Sequence, residues 1–184
     1  MEKNEIRKRI LSARDALSDQ DCMEMSTSIL KKLLKTDAFL RAWKVGLYAS
    51  VKNEVITYPL IGKSAMLDKG VAFPKITDPV HKKMVFRYVL GMNDLKTGTF
   101  GILEPQENTT VMEQPDVIIL PVVAFDSMLN RIGQGGGYYD VYLKAHPKAY
   151  KIGLAYEFQK TDSIPRKDWD VPLDLIITEE QIYE

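Results

Sequence analysis

The sequence lacks the residues from which a disulfide-bonded or zinc-stapled protein is built. Cys22 is the only cysteine among 184 residues, so an intrachain disulfide and a cysteine-rich zinc cluster are both excluded. Positive charge is not in excess either, since 25 basic residues balance 25 acidic ones. A general nucleic-acid binder usually carries a basic domain. We therefore expect a reducing environment and no nucleic-acid partner.

Long apolar segments are missing as well. The charged start, MEKNEIRKR, lacks the apolar core of a signal peptide. The longest apolar run, residues 117–125, is interrupted by Pro121 and is far shorter than the ~20 residues of a membrane helix. We therefore expect a cytoplasmic protein with no membrane partner. The remaining composition, 45% apolar and 27% charged, is typical of a globular protein, and the length favours one domain over residues 1–184.

Apolar periodicity predicts helices that alternate with strands. Residues 2–17 and a second helix capped by Ser18 carry apolar side chains at steps of three and four. Thr57 is expected to cap a third helix that ends at Gly70, and residues 139–145 form a short fourth. Strands are predicted at residues 45–50, 71–74, 84–89, 116–125, 152–156 and 173–178. This alternation indicates an α/β protein with a parallel or mixed sheet between helical layers.

One stretch, NRIGQGGGYYD at residues 130–140, concentrates four glycines within five positions. Glycine permits positive φ and close approach of the backbone to a ligand, as expected here for Gly136. Successive N–H groups next to a helix start can bind an anion. The stretch is neither a Walker A loop nor a dinucleotide fingerprint. A flexible turn is the alternative interpretation.

The side chains around these glycines favour a phosphate site. Arg131 has a fork geometry suited to phosphate oxygens. Tyr138 and Tyr139 offer flat apolar area plus a hydroxyl. Asp140 is a candidate ligand for Mg²⁺, which usually takes one or two carboxylates together with phosphate oxygens.

Further candidates lie outside this stretch. Lys3, Arg7 and Arg14 share one stripe of the first helix, although a solvated basic edge is the better interpretation of that helix alone. Glu54 follows the predicted strand 45–50 at the edge where α/β sheets bind ligands, and its alternative is an exposed loop carboxylate. We expect Asp174 near the same edge, and its alternative interpretation is an ordinary strand-end residue.

Together these stretches resemble the 5-formyltetrahydrofolate cyclo-ligase family, also called 5,10-methenyltetrahydrofolate synthetase, over almost the whole chain. RIGQGGGYYD is similar to the family's Arg-Leu-Gly-x-Gly-x-Gly-Tyr-Tyr-Asp signature. The supporting stretches are Lys3 with Arg7, Asn53-Glu54-Val55, Phe73-Pro74-Lys75, residues 100–105 (FGILEP), Ala124-Phe125-Asp126 and residues 171–174 (VPLD). One departure is Leu129, where glycine is usual. Because leucine at positive φ is costly, we expect that turn to take another shape.

The resemblance implies a three-layer α/β/α fold with a central, mostly parallel sheet on which the N-terminal helices pack. It also implies conversion of 5-formyltetrahydrofolate and ATP, with Mg²⁺, into 5,10-methenyltetrahydrofolate, ADP and phosphate through a phosphorylated formyl group. We expect a monomer. Two alternatives stay open at this point: a sugar-phosphate isomerase that needs no ATP, and a non-catalytic nucleotide- or folate-binding module.

Residue roles follow from the same resemblance. For ATP it implies contacts from Lys3, Arg7, Arg131, Ile132, Gly133, Gln134, Gly135, Gly136, Gly137, Tyr138 and Tyr139. For the folate it implies contacts from Glu54, Gln134, Gly135, Gly136, Gly137 and Tyr138. Arg131 and Tyr139 would be catalytic, and Asp140 and Asp174 would bind the metal.

Overall fold

An eight-stranded sheet forms the centre of the structure, a computed structural model that describes residues 2–184. The helices are α1 (Lys3–Asp15), α2 (Asp19–Leu33), α3 (Asp37–Arg41), α4 (Pro59–Ala65) and α5 (Tyr138–Ala145). The strands are β1 (Lys44–Gly46), β2 (Gly70–Asp78), β3 (Lys83–Tyr88), β4 (Leu95–Thr97), β5 (Leu103–Pro105), β6 (Val111–Met112), β7 (Val117–Pro121), β8 (Ala124–Phe125), β9 (Arg131–Ile132), β10 (Tyr150–Leu154), β11 (Leu175–Ile177) and β12 (Ile182–Tyr183).

The large sheet is mostly parallel, as predicted. Its strand order is β12-β11-β10-β7-β1-β2-β3-β6. The five strands from β11 to β2 are mutually parallel, whereas β12 and β3 pair antiparallel with their inner neighbours, and β6 pairs antiparallel with β3. Strands β4 and β5, and strands β8 and β9, form two further small sheets.

Helices cover both faces of this sheet. Alternate side chains of β7 enter different cores: Val117 and Ile119 pack with residues of α2, α3 and α4, whereas Ile118 and Leu120 pack with residues of α5. Because β7 is buried on both faces, its side chains can be apolar without alternation. The expected layers of helix, sheet and helix are therefore present.

The predicted strand 116–125 is in fact two strands. Strand β7 ends at Pro121, which has no N–H to donate to a ladder, and β8 then joins β9 in a separate sheet. The carbonyls of Val122 and Val123 accept hydrogen bonds from Nε2 of the buried Gln159 at 2.7 and 2.8 Å. A side chain far along the chain thus replaces a neighbouring strand as the partner of this backbone.

Helix termini follow the predictions only in part. Ser18 caps α2 as expected and accepts a hydrogen bond from Asp21 N at 3.1 Å. Thr57 does not cap α4, because its hydroxyl donates to the carbonyl of Tyr48 at 2.6 Å. Helix α4 ends at Ala65, and Gly70 is instead the first residue of β2. The short helix α3 was not predicted. No helix within residues 2–184 is both long and apolar enough to cross a membrane.

The expectation for the turn at Leu129 is wrong, since this residue adopts φ +59°. The Asp126 carboxylate holds the turn: Oδ1 accepts from the backbone N–H groups of Met128 and Asn130 at 3.0 and 3.1 Å. The Leu129 N–H donates to the Asp126 carbonyl at 3.1 Å, and the Leu129 carbonyl accepts from Leu173 N at 3.0 Å. These bonds offset the cost of the left-handed conformation, which only a strongly determined turn can impose on leucine.

Candidate functional site

A cleft of about 910 Å³ opens at the carboxyl ends of the parallel strands. Its lining includes Tyr48 and Ala49 after β1, Ile76 near the end of β2, and Pro121 at the end of β7. This is the edge at which open α/β sheets bind ligands. All of the predicted site residues line the cleft except Asp174.

The glycine loop, residues 133–137, connects β9 to α5 and forms one side of the cleft. Gly135 and Gly137 adopt φ +101° and +77°, and Gly137 is the residue that caps the start of α5. Gly136 is not at positive φ, contrary to expectation; a side chain there would instead meet the ring of Tyr138 at 3.0 Å. The loop and the first turn of α5 line the cleft, and the first N–H groups of a helix lack backbone partners, as an anion site requires.

The cations predicted for ATP converge on this loop. Arg7 Nε donates to the Gly133 carbonyl at 2.9 Å, and Lys3 forms an ion pair with Asp170, another residue of the cleft lining. The basic edge of α1 therefore lines the cleft, and its residues Lys3 and Arg7 contact other residues of the lining. Asp170 was not predicted, because only the folded chain brings it to Lys3.

Arg131 and Asp140 form an ion pair inside the cleft. Arg131 Nη2 donates to Asp140 Oδ1 at 3.0 Å, and the same oxygen lies 3.4 Å from Val171 N. Within residues 2–184, no hydrogen bond reaches Asp140 Oδ2. One carboxylate oxygen in the cleft thus has room for a further partner.

The prediction that Asp174 binds the metal together with Asp140 is wrong. Asp174 precedes β11 and lies at the amino ends of the parallel strands, the opposite edge of the sheet. Its carboxylate accepts from Lys151 N at 2.8 Å and forms an ion pair with Lys151 Nζ at 2.6 Å. Residues 2–184 contain no group of three or more side chains of the His, Cys, Asp or Glu type arranged for a metal.

Glu54 is a buried carboxylate, so the alternative of an exposed loop residue is wrong. It is 5% exposed and accepts hydrogen bonds from Val51 N at 3.1 Å and from Gln134 Nε2 at 3.0 Å. Arg14 Nη2 lies 3.8 Å from its Oε1. Burial raises the pKa of Glu54 above its ordinary value, while Gln134 and Arg14 oppose the rise. The bond from Gln134 joins the glycine loop to this carboxylate.

Arg14 was not predicted as a site residue, although it lies on the same stripe of α1 as Arg7. It is only 1% exposed, and its Nε and Nη1 have no hydrogen-bond partner within residues 2–184. A buried guanidinium is costly unless it is paired. The only signal in the sequence was its place at the edge of the apolar face of α1.

Aromatic side chains complete the cleft. Burial, reinforced by the charge of Glu54, raises the pKa of Tyr139 well above its ordinary value. The guanidinium of Arg131 lies 5.9 Å from the centre of the Tyr139 ring. Phe100, at φ +60° and 72% exposed, meets Tyr138 edge to face with ring centroids 6.3 Å apart. The cleft thus joins an apolar wall to a set of anion-binding groups.

Comparison with known proteins agrees with this geometry. The sequence profile of the 5-formyltetrahydrofolate cyclo-ligase family matches residues 1–179. The chain belongs to the 5-formyltetrahydrofolate cyclo-ligase family. Among cyclo-ligases, the one from Mycoplasma pneumoniae is 36% identical over 187 residues, with 98% of this chain and 100% of the relative covered. The one from Haemophilus influenzae is 30% identical, with 95% and 97% covered.

A solved structure extends the agreement to the fold. The 5,10-methenyltetrahydrofolate synthetase of Aquifex aeolicus superposes with a TM-score of 0.87 at 34% identity, covering 100% of this chain and 93% of that one. The chain is therefore a ligase of the cyclo-ligase family, whose reaction uses ATP to convert 5-formyltetrahydrofolate into 5,10-methenyltetrahydrofolate. An isomerase and a non-catalytic binding module are set aside by this membership.

Proposed function

We propose that the cleft performs this reaction by transferring the γ-phosphoryl group of ATP to the formyl oxygen of 5-formyltetrahydrofolate, with release of ADP. One observation carries the proposal. The glycine loop contacts cations on one side, through Arg7 on Gly133, and the buried carboxylate Glu54 on the other, through Gln134. A phosphate site and a site for a polar heterocycle therefore share one loop.

The phosphate side uses the loop and three cations. Backbone N–H groups at the start of α5 would bind phosphate oxygens, and Lys3, Arg7 and Arg131 would balance their charge. Phosphoryl transfer needs mainly positioning and charge stabilisation, which these groups provide. Asp170 holds Lys3, so the ammonium is oriented before ATP binds.

The folate side centres on Glu54. Its carboxylate would accept hydrogen bonds from N–H groups of the pterin, in the same way as it accepts from Val51 N and Gln134. Tyr138 would pack against the flat ring system. The hydroxyl of Tyr139 is protonated at neutral pH, as in any tyrosine, and burial raises its pKa further. It would therefore donate a hydrogen bond to the reacting oxygen and would not act as a base.

The chemistry balances without a protein nucleophile. The formyl oxygen attacks the γ-phosphorus, the bond to the β,γ-bridging oxygen breaks, and ADP leaves. N10 then attacks the formyl carbon and loses its proton to solvent, and the C–O bond to phosphate breaks as phosphate leaves. An amide oxygen is a poor leaving group, and phosphorylation makes it a good one. Arg131 would stabilise the charge on the transferring phosphoryl group.

Asp140 is the residue that we assign to Mg²⁺. Mg²⁺ typically takes one or two carboxylates and completes its shell with phosphate oxygens and water, and one oxygen of Asp140 in the cleft accepts no hydrogen bond from residues 2–184. When bound, the ion would neutralise charge on the phosphates. We propose that a monomer is sufficient for activity, because the glycine loop, its cations and Glu54 already meet in one cleft.

The test is an assay of the purified protein with ATP, Mg²⁺ and 5-formyltetrahydrofolate. We expect the absorbance of the methenyl product to rise in step with ADP. Methenyl formation without matching ADP would contradict phosphoryl transfer as the driving step. Omission of ATP is the control, since an activity independent of nucleotide would be of another class.

A further inference from the structure

Asn53 ties the loop that carries Glu54 to the C-terminal end of α1. Its Nδ2 donates to the carbonyls of Arg14 and Leu17 at 2.9 and 3.0 Å. The last carbonyls of a helix have no partner within the helix, so the amide satisfies acceptors that α1 leaves open. Asn53 is half-buried and lies outside the cleft lining, and the reaction proposed above gives its side chain no part.

Helix α1 is the rigid element at the other end of this tie. It carries Lys3 at its first residue and Arg7 one turn later, and Arg7 donates to the Gly133 carbonyl of the glycine loop. A helix rises ~1.5 Å per residue, so about 10 Å of helix separate Arg7 from Arg14. A displacement of the C-terminal end of α1 relative to the loop of Glu54 would therefore change the distance between Glu54 and these cations.

The loop of Glu54, residues 51–54, is closed on itself. Glu54 N donates to the Val51 carbonyl at 3.1 Å, and the Glu54 carboxylate accepts from Val51 N at 3.1 Å. These two bonds fix the carboxylate relative to the backbone of its own turn, to which Asn53 belongs. Within residues 2–184, the hydrogen bonds that join this turn to residues 3–17 all come from Asn53.

Other side chains hold the carboxylate of Glu54 but not its backbone. Gln134 Nε2 donates to Oε1 at 3.0 Å, and Arg14 Nη2 lies 3.8 Å from the same oxygen, a distance too long for a hydrogen bond. Both act at the end of a flexible side chain. Asn53 instead joins the backbone of the turn to the backbone of α1, because both of its acceptors are carbonyls.

We propose that Asn53 is a positioning residue that sets the distance between the folate carboxylate Glu54 and the ATP cations of α1, an assignment that rests on the proposed function. Loss of its two bonds leaves the other contacts of Glu54 and of the cations in place. Each substrate would then bind alone much as before, but the formyl oxygen and the γ-phosphorus would meet in a poorer geometry. Misplacement of reacting groups by about 1 Å can lower a rate about 100-fold.

The experiment removes the two donors in two ways. Asn53→Ala deletes the amide. Asn53→Asp keeps its shape but places carboxylate oxygens against two carbonyls at the C-terminal end of α1, where the helix already carries a partial negative charge. With both substrates saturating, the single-turnover rate of methenyl formation should fall on the order of 10- to 100-fold in Asn53→Ala and at least as far in Asn53→Asp. The Kd of ATP alone and that of 5-formyltetrahydrofolate alone should change far less than the rate.

Ser18→Ala is the matched control for a loss of stability. Ser18 caps α2 directly after the segment that Asn53 holds, and it lies outside the cleft lining. Its loss should lower the melting temperature without changing the single-turnover rate of the folded protein. A wild-type rate in Asn53→Asp would overturn the assignment, as would a loss in Asn53→Ala that weaker binding of one substrate explains or that Ser18→Ala reproduces. Absence of methenyl product from the wild type would instead refute the proposed function, so the two failures are distinguishable.

Discussion

The buried pair of Arg14 and Glu54 permits a quantitative test of how this site is held. The perturbations are Arg14→Met, Glu54→Gln and the double variant, compared by urea unfolding. The effect of Arg14→Met alone is a poor measure of the attraction, because the change also removes two donor nitrogens that have no partner within residues 2–184. The removal of these unsatisfied donors offsets part of the stability that Arg14→Met loses. The coupling energy from the double-mutant cycle isolates the attraction between the two charges.

The magnitude follows from the geometry. The two groups lie 3.8 Å apart, and unit charges at that distance attract by about 4 kcal/mol when the effective dielectric constant is about 20. The distance is too long for a hydrogen bond, so no further gain is added. Water that enters the cleft screens part of the attraction. We therefore expect a coupling of about 2–4 kcal/mol at pH 8.

The contribution of Glu54 to stability should depend on pH in a definite direction. Burial raises the pKa of folded Glu54 above its ordinary value of 4.5, so the folded state holds the proton more tightly than the unfolded state. This carboxyl's contribution to stability is then fully present below pH 4.5 and is lost as the pH rises through the folded pKa. Arg14 opposes the rise in pKa, so Arg14→Met should extend that loss to higher pH. Glu54→Gln should abolish this difference in pH dependence between the proteins with and without Arg14.

Urea unfolding at several pH values from 5 to 8 measures both effects. A coupling energy below about 0.5 kcal/mol at pH 8, the usual limit of additivity for independent sites, would refute an electrostatic role for Arg14. So would a coupling that does not change with pH. The KM for 5-formyltetrahydrofolate in Arg14→Met, measured at the same pH values, links the result to function, since a protonated Glu54 would accept fewer hydrogen bonds from the pterin.

Three further variants test the rest of the site. Gly135→Val should abolish turnover yet leave the fold intact by circular dichroism, because a branched residue resists φ +101°; retained ATP affinity would show that the loop is only a connector. Asp140→Asn should raise the magnesium concentration needed for half-maximal activity more than it raises the folate KM, and the reverse order would place Asp140 in the folate site. Lys3→Ala should raise the KM for ATP roughly 10-fold or more, as expected for a charged hydrogen bond, with little change in melting temperature. Unaltered ATP dependence would leave Lys3 as only a partner of Asp170.

Much of the fold and of the site could be predicted because the signals are local. Apolar periodicity located α1, α2 and the inner strands, since a helix or strand face must be buried whatever it packs against. Ser18 marked the start of α2 because a cap is made within one turn. The glycine run marked the ligand loop because backbone freedom is a property of the residues themselves. The carboxyl edge of the sheet then followed from strand direction alone.

The sequence by itself therefore determined the layers, the loop and the family, and only the tertiary structure decided the partners of the charged residues. Asp174 directly precedes β11 and therefore lies at the amino ends of the parallel strands, whereas the cleft lies at their carboxyl ends. Lys151 forms an ion pair with its carboxylate. Arg14 is buried because Glu54 meets it from another segment. Leu129 is held at positive φ because its neighbours Met128 and Asn130 donate to the Asp126 carboxylate and the distant Leu173 N donates to its carbonyl. The physical reason is common to all three: an ion pair or buried polar contact depends on distance in space, and local sequence carries no record of which distant segment will supply it.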